Sequence, residues 1–211
     1  MSDDEIARDD MRRFVTGLDL GQAKDFSALA ILERIPQPSI NGESSPDHYA
    51  IRHLERPPLG TSYPTVVNRV KNMFSRRPLS KTILAVDQTG VGRAVVDQLQ
   101  AARVDASIRP VTITGGHNAT RSEGMGWLVP KKELVGTLQV LLQGRRVHVA
   151  KNLPEARTLV DELIQFQVKV TASAHETFGT WGEGRHDDLV LAVAIAAWAG
   201  ENIGIGRFEI W

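Results

Sequence analysis

The chain has 211 residues, 42% hydrophobic and 24% charged, the make-up of one soluble domain with room for a sizeable core. Its 25 Lys and Arg balance 25 Asp and Glu, so any nucleic-acid surface must be a local basic patch and not a global field. Zero cysteines exclude disulfides and thiolate metal sites and fit a cytoplasmic protein, and the longest apolar run, Leu189 to Ala199, is too short to span a bilayer.

Residues 1–12, within the charged stretch MSDDEIARDDMRR, lack an apolar signal core and read as a flexible lead-in. A single domain is expected over 13–211. Arg13 to Leu20 reads as the first strand and Ser27 to Ile35 as the second, joined through the polar turn Gly21 to Asp25 as a hairpin. A Pro-, Ser- and Gly-rich loop, Pro36 to Pro46, leads to a third strand, His48 to Glu55, which Pro57-Pro58 stops. Val66, Val67, Val70 and Phe74 recur at helical spacing and predict a helix over Tyr63 to Phe74.

The unbroken apolar run Thr82 to Val86 predicts a buried fourth strand, followed by a helix from Gly92 to about Ala102 and a fifth strand over Ile108 to Ile113. A Gly-rich loop, Thr114 to Gly126, then separates the first half from the second. Pro130 stands where a first-turn proline belongs, ahead of a helix over Lys131 to Gln143. Arg146 to Val149 reads as a short strand and Leu153 to Gln167 as a helix. Val168 to Ala172 with Glu176 to Phe178 reads as a hairpin, and Asp187 to about Gly200 as a last, almost wholly apolar helix. The order strand-strand-strand-helix-strand-helix-strand implies an antiparallel three-strand meander continuing into right-handed parallel crossovers. The expected fold class is α/β, a mixed central sheet with helices on both faces.

Four carboxylates sit where buried elements end. Asp19 follows strand one, Asp87 follows strand four, and Asp187 and Asp188 open the last helix. An ionised carboxylate at the exit of a buried element needs a partner, and a hard divalent cation suits a convergent set of them. Taken singly, Asp19 is equally readable as a turn former, and Asp187 as a helix cap with Asp188 favouring the dipole. If strands one and four are neighbours, Asp19 and Asp87 lie side by side, and a last helix packed across them delivers Asp187 and Asp188. Phosphodiester cleavage with two Mg²⁺ or Mn²⁺ ions needs such a set: one ion activates water and the other stabilises the leaving oxygen. On this reading Asp19 bridges the two ions, with Asp87 on one side and Asp187 or Asp188 on the other. Adjacent helical residues diverge by about 100°, so only one of that pair points squarely at the first ion.

Candidates for contact with phosphate are Lys131 and Lys132 at a helix start, Arg121, Arg145 with Arg146, Arg76-Arg77, His117 in the Gly-rich loop and His186 beside the acidic pair. Each taken alone is also readable as a solvated surface residue, but most non-specific affinity for DNA is carried by contacts to phosphate. Gly90 and Gly92 are placed to let the backbone pass close to the site and begin a helix. Asp25 is a hairpin-turn residue or an outer contact of the site. The tryptophans Trp127, Trp181, Trp198 and Trp211 read as core more readily than as a base-stacking platform.

Taken in order, Asp19-Leu-Gly21 with Asp25, Val86-Asp87-Gln-Thr-Gly-Val-Gly92 and His186-Asp-Asp-Leu-Val-Leu-Ala192 resemble the nuclease domain of tailed-phage large terminase subunits, a branch of the RNase H-like, resolvase-type nucleases. Thr114-Gly-Gly-His117, Val129-Pro-Lys-Lys-Glu-Leu-Val135 and Gly144-Arg-Arg-Val-His148 agree, so the likeness extends from about residue 13 to 200. It implies a metal-dependent endonuclease that cuts double-stranded DNA with little sequence preference, with Asp19, Asp87, Asp187 and Asp188 as catalytic metal ligands for Mg²⁺ or Mn²⁺. The partners it implies are a packaging ATPase, a small terminase subunit and a portal, in a host cytoplasm and with no membrane. The chain has no G-x-x-x-x-G-K-[ST] phosphate loop, so motor activity is not expected of these residues, whether the nuclease is a stand-alone gene product or one domain of a larger protein. Two other readings stay open: another RNase H-like nuclease such as a Holliday-junction resolvase, and an actin-like ATP-binding domain, which also begins on Asp-x-Gly.

Overall fold

The computed structural model describes residues 13–21, 25–39, 43, 45–170, 176–179 and 186–203. The lead-in, most of the first turn, Trp181 and Trp211 lie outside them.

Strand β1 (Phe14–Asp19) pairs antiparallel with β2 (Ala28–Ile35), from Phe14 opposite Glu33 to Asp19 opposite Ala28. β2 pairs antiparallel with β3 (His48–Glu55), with a register shift between Ile31 and Leu32. This is the expected meander. On the other flank of β1 runs β4 (Ile83–Asp87), parallel to it, with Val15 opposite Ile83 and Leu18 opposite Val86. β5 (Ser107–Thr114) continues the parallel part beyond β4.

The supposed Gly-rich loop is partly sheet. It holds β6 (Thr120–Ser122), which pairs antiparallel with β7 (Gly126–Pro130), and β7 runs parallel to β5. Neither strand has an alternating pattern of its own. They form because the open edge of β5 supplies backbone partners to β7, and β7 in turn supplies them to β6, a tertiary override of weak local preference. At the opposite edge β8 (Val147–Val149) lies parallel to β3, giving the eight-stranded order β6-β7-β5-β4-β1-β2-β3-β8. β9 (Gln167–Val170) and β10 (Glu176–Gly179) form the expected hairpin as a separate two-stranded sheet.

The helices divide between the two faces as the alternation of side chains in the strands requires. Leu18, Leu29, Ile31, Leu84 and Val86 face α1 (Tyr63–Phe74) and α2 (Gly92–Ala101), which answer with Val66, Val70, Phe74, Val95 and Leu99. Val15, Ala28, Ala30, Leu32, Ile83 and Ala85 face α3 (Lys131–Gln143), α4 (Ala156–Gln165) and α5 (Asp188–Asn202). Ser62 caps α1 with its hydroxyl on the Thr65 amide, while Pro130, expected inside α3, is its N-cap and also ends β7.

α5 is buried on every side, as a helix apolar all round must be. It lies on β1 so closely that a Cβ on Gly17 would sit 2.0 Å from the Ala192 carbonyl oxygen and 2.8 Å from the Ala196 amide nitrogen. Trp198 is a core residue, edge-to-face with Trp127 at 5.4 Å and donating its indole N–H to Glu133 at 2.9 Å. No helix among the described residues is long and apolar enough to cross a membrane.

Candidate active site

The contact of α5 with β1 is also what builds the site. Val15, Gly17 and Asp19 share one face of β1, and Ile83, Ala85 and Asp87 the matching face of β4, because side chains alternate along a strand. The parallel register Leu18↔Val86 then brings Asp19 and Asp87 out as neighbours on the next residue of each strand. On α5, Asp188 stands one turn before Ala192, the residue that touches Gly17, so its side chain lies over the end of β1. The three carboxylates thus arrive from two strand ends and one helix start at one corner of the α5 face. Asp19 and Asp188 are only 7% and 5% exposed.

Asp187, the N-cap of α5, is less buried and lies 3.2 Å from the Lys131 ammonium. The sequence alone could not distinguish the two adjacent aspartates. In the fold Asp188 is the buried one, and Asp187 faces a lysine. The electrostatics follow from this crowding. Burial first, and then the charges of Asp87, Asp188 and Asp187, push the Asp19 carboxyl well above the usual carboxylate range, against the opposing pull of Lys131. Asp87 is raised by burial, although its carboxylate accepts the Thr89 amide at 2.8 Å. Asp188 is pushed up to about 6 by burial, and Asp187 and Asp25 add to the shift.

Two observations bear on a cation here. Among the described residues Oδ2 of Asp188, which is buried, has no hydrogen-bond partner, and the His186 ring nitrogen Nδ1 lies 3.5 Å from it. The donor set is all carboxylate, the chemistry that hard divalent ions take. Among the described residues, no three Asp, Glu or His side chains are already gathered as a ready cation cage. The residues fit Mg²⁺ or Mn²⁺ by donor type and by their excess of negative charge.

Gln88, Thr89 and Glu162, which sequence reasoning passed over, support the carboxylates together with Gly92, which it had singled out. Gln88 donates to Thr112 Oγ1 at 3.0 Å and to the Met125 carbonyl, and Thr89 Oγ1 accepts the Ile113 amide at 2.9 Å, so the exit of β4 is stapled to β5 and the β6–β7 hairpin. Gly92 lets the start of α2 come within reach of the Asp87 carbonyl, which a Cβ would approach to 2.2 Å. Glu162 of α4 is 5% exposed and accepts the backbone amides of Leu189 and Val190 at 3.0 and 3.2 Å, at the first turn of α5. Burial, with the charge of Asp188 adding, raises Glu162 to about 7. An isolated Glu on an amphipathic helix carries no sequence signal for such a role.

The basic candidates separate in space. Lys131 is inside the acidic corner, and Lys132 sits beside it with its ammonium 3.0 Å from His117 Nδ1. His186 touches Asp188 and packs edge-to-face on Phe26 at 4.9 Å. Arg121 lies on the edge strand β6 against the Trp127 ring, three strands or about 14 Å from β4. Arg145 follows the far end of the 13-residue helix α3, about 20 Å from Lys131.

The raised carboxyls give a pH prediction for protein held in EDTA. Glu162 and Asp188, at about 7 and about 6, and Asp19, also raised, hold protons in the folded state that they release near pH 4 when unfolded. The folded state therefore binds more protons between about pH 4 and 7, and this contribution to stability is lost as pH rises through that window. Glu33 and Glu55, lowered by their arginine partners, act below it. The melting temperature in EDTA is expected to fall from pH 5 to pH 8 in differential scanning fluorimetry, and a flat or rising profile would contradict the assigned burial.

The sequence matches no protein-family model. It is 27% identical over 197 residues to the large terminase subunits of Thermus phage G20c and Thermus virus P23-45, an overlap of 93% of this chain and 34% of each relative. The chain thus spans about a third of their length. Among solved structures, the large terminase nuclease of phage G20c with bound magnesium superposes with a TM-score of 0.62 at 26% identity, covering 87% of this chain and 79% of that one. The nuclease domain of the bacteriophage SPP1 large terminase with bound manganese shares the fold at a TM-score of 0.52 and 13% identity, over 93% and 90% of the two chains. The chain is similar in sequence to phage large terminase subunits and has the RNase H-like fold of their nuclease domains.

Proposed function

We propose that the chain is a divalent-metal-dependent endodeoxyribonuclease that cuts double-stranded DNA with little sequence preference, acting as the nuclease part of a phage DNA-packaging terminase. The observation that carries this is the meeting of Asp19, Asp87 and Asp188 at the ends of β1, β4 and α5, in a fold shared with nucleases solved with magnesium and manganese. Two bound Mg²⁺ or Mn²⁺ ions would polarise the scissile phosphate and offset the charge that develops on it. Asp19, buried with the other carboxylates around it, would hold the ions together with Asp87 and Asp188, and Asp187 would support Asp188. Lys131 holds Asp187 and keeps an ammonium beside the site, where it can meet a phosphate oxygen. Lys132 with His117, and His186, extend a cationic rim for the DNA backbone. Arg121 and Arg145 stand away from this rim and are assigned no contact at the reacting phosphate.

The domain assignment, residues 13–211 as one nuclease unit after a 12-residue lead-in, belongs to the same proposal. So do a host-cytoplasm setting and partnership with a packaging ATPase, small terminase subunit and portal. A supercoiled plasmid tests the activity. Nicking and linearisation are expected with Mn²⁺ or Mg²⁺, and none with EDTA or with Asp87→Asn. Cutting in EDTA would sink the metal-dependent reading. Preference for a four-way junction over plain duplex would favour a resolvase, and ATP hydrolysis an actin-like domain.

A further inference from the structure

Asp188 presents a mechanical problem that the metal-ligand reading leaves unanswered. It is the first residue of its helix, where chain ends fray, and the N-cap Asp187 gives no side-chain hydrogen bond to the turn it begins. Its own Oδ2 is buried without a hydrogen-bond partner among the described residues. Something other than local capping must hold it. Glu162, from a different helix, does this: Oε2 accepts the amides of Leu189 and Val190, the two residues that follow Asp188. Its other oxygen accepts from Arg56 Nη1 at 3.3 Å. Arg56 follows β3 and lies over the Phe26 ring at 4.5 Å, and Phe26 in turn carries His186. Three separate parts of the chain, α4, the exit of β3 and the β1–β2 connection, thus converge on the first turn of α5.

We propose that Glu162 is a positioning residue for Asp188, a cap supplied from α4 that fixes the first turn of α5, and that Arg56 is the clamp that orients it. The inference rests on the nuclease reading for its functional consequence, although the cap itself does not. Both oxygens of Glu162 are engaged with protein donors, which argues for orienting Asp188 and against direct ligation. A neutral amide of the same shape keeps a carbonyl acceptor for the two backbone amides, whereas truncation leaves both orphaned in a buried place.

The test compares Glu162→Gln, Glu162→Ala and Arg56→Met with the wild type. The Mn²⁺ concentration for half-maximal plasmid nicking is one readout, and hydrogen exchange at the Leu189 and Val190 amides in EDTA is the other. Glu162→Ala is expected to need about 10-fold more Mn²⁺ or above and to exchange faster at those amides, while Glu162→Gln stays within about threefold on metal and retains protection. Arg56→Met, which keeps bulk against Phe26, should shift both readouts in the direction of Glu162→Ala. It serves as the decisive variant if the alanine protein does not fold. Wild-type exchange and metal requirement in Glu162→Ala, or in Arg56→Met where that variant decides, would overturn the proposal. Equal impairment of Gln and Ala would also do so, since charge and not the cap would then be the active property. A wild type that never cuts DNA removes the nuclease reading instead, and the exchange measurement still decides the cap.

Discussion

Replacing Asp19 by Asn is expected to abolish metal-dependent cutting while making the metal-free protein more resistant to heat at pH 8. The two effects have one cause. Asp19 is buried at the end of β1 with Asp87, Asp187 and Asp188 around it, so its ionised form is disfavoured by burial and by like charge. Asparagine has nearly the same shape and removes one negative charge from the crowd. At pH 8 the folded wild type must either bear that charge or bind a proton to avoid it, the variant does neither, and its melting temperature in EDTA should rise. The same charge is what the proposed metal-ion reading requires of Asp19. Its loss should cost about a thousand-fold or more in cleavage rate, equivalent to about 4 kcal/mol of transition-state stabilisation. Plasmid nicking in Mn²⁺ and scanning fluorimetry in EDTA measure the two sides. A variant that cuts at the wild-type rate removes Asp19 from the mechanism, and one that melts lower at pH 8 contradicts the crowding. Stability and activity moving in opposite directions would distinguish a functional carboxylate from a structural one.

Gly17→Ala should damage the fold and the site together. An added Cβ meets the Ala192 carbonyl oxygen at 2.0 Å and the Ala196 amide nitrogen at 2.8 Å, both of them backbone atoms of a helix buried on all sides. Neither can rotate away, so α5 must lift off β1. A loss of about 3 kcal/mol or more is expected for such overpacking, out of the roughly 5–15 kcal/mol that a domain has. The same shift draws Asp188 away from Asp19, and displacement of a reacting group by about 1 Å can cost on the order of 100-fold in rate. Urea denaturation and plasmid nicking below the transition are the measurements. Gly136→Ala in α3 is the contrast, since its Cβ meets nothing. There alanine is expected to be neutral or to stabilise by about 0.5–1 kcal/mol through helix preference alone. Equal midpoints for the two variants would contradict the close packing of α5 on β1.

The elements with strong periodicity were legible from residues alone. His48–Glu55, Tyr63–Phe74 and Lys131–Gln143 have the bounds their patterns predict, and β1, β2, β4 and α5 differ by a residue or two at their ends. The carboxylates were legible because ionisable groups at the exits of apolar runs are chemically out of place. β6 and β7 were not, because three and five residues of mixed character become strands only once β5 offers an edge to β7 and β7 offers one to β6. The basic residues were equally opaque: Lys131 and Arg145 look alike in a sequence, yet one faces Asp187 and the other ends the opposite turn of the same helix region.

By itself the sequence determined that the strongly periodic runs would be strands or helices with their apolar residues buried, and that Asp19, Asp87, Asp187 and Asp188 would stand at their ends. Those are properties of local pattern and of the cost of burying charge. Only the tertiary structure decided that Asp188 and not Asp187 is the buried aspartate, that Lys131 faces the acidic corner, and that Glu162 and Arg56 hold the turn between them. These depend on register and on helix rotation, set by contacts such as Gly17 against Ala192 between residues 175 positions apart. No local pattern encodes a contact of that span, because its free energy exists only once the sheet and α5 have packed.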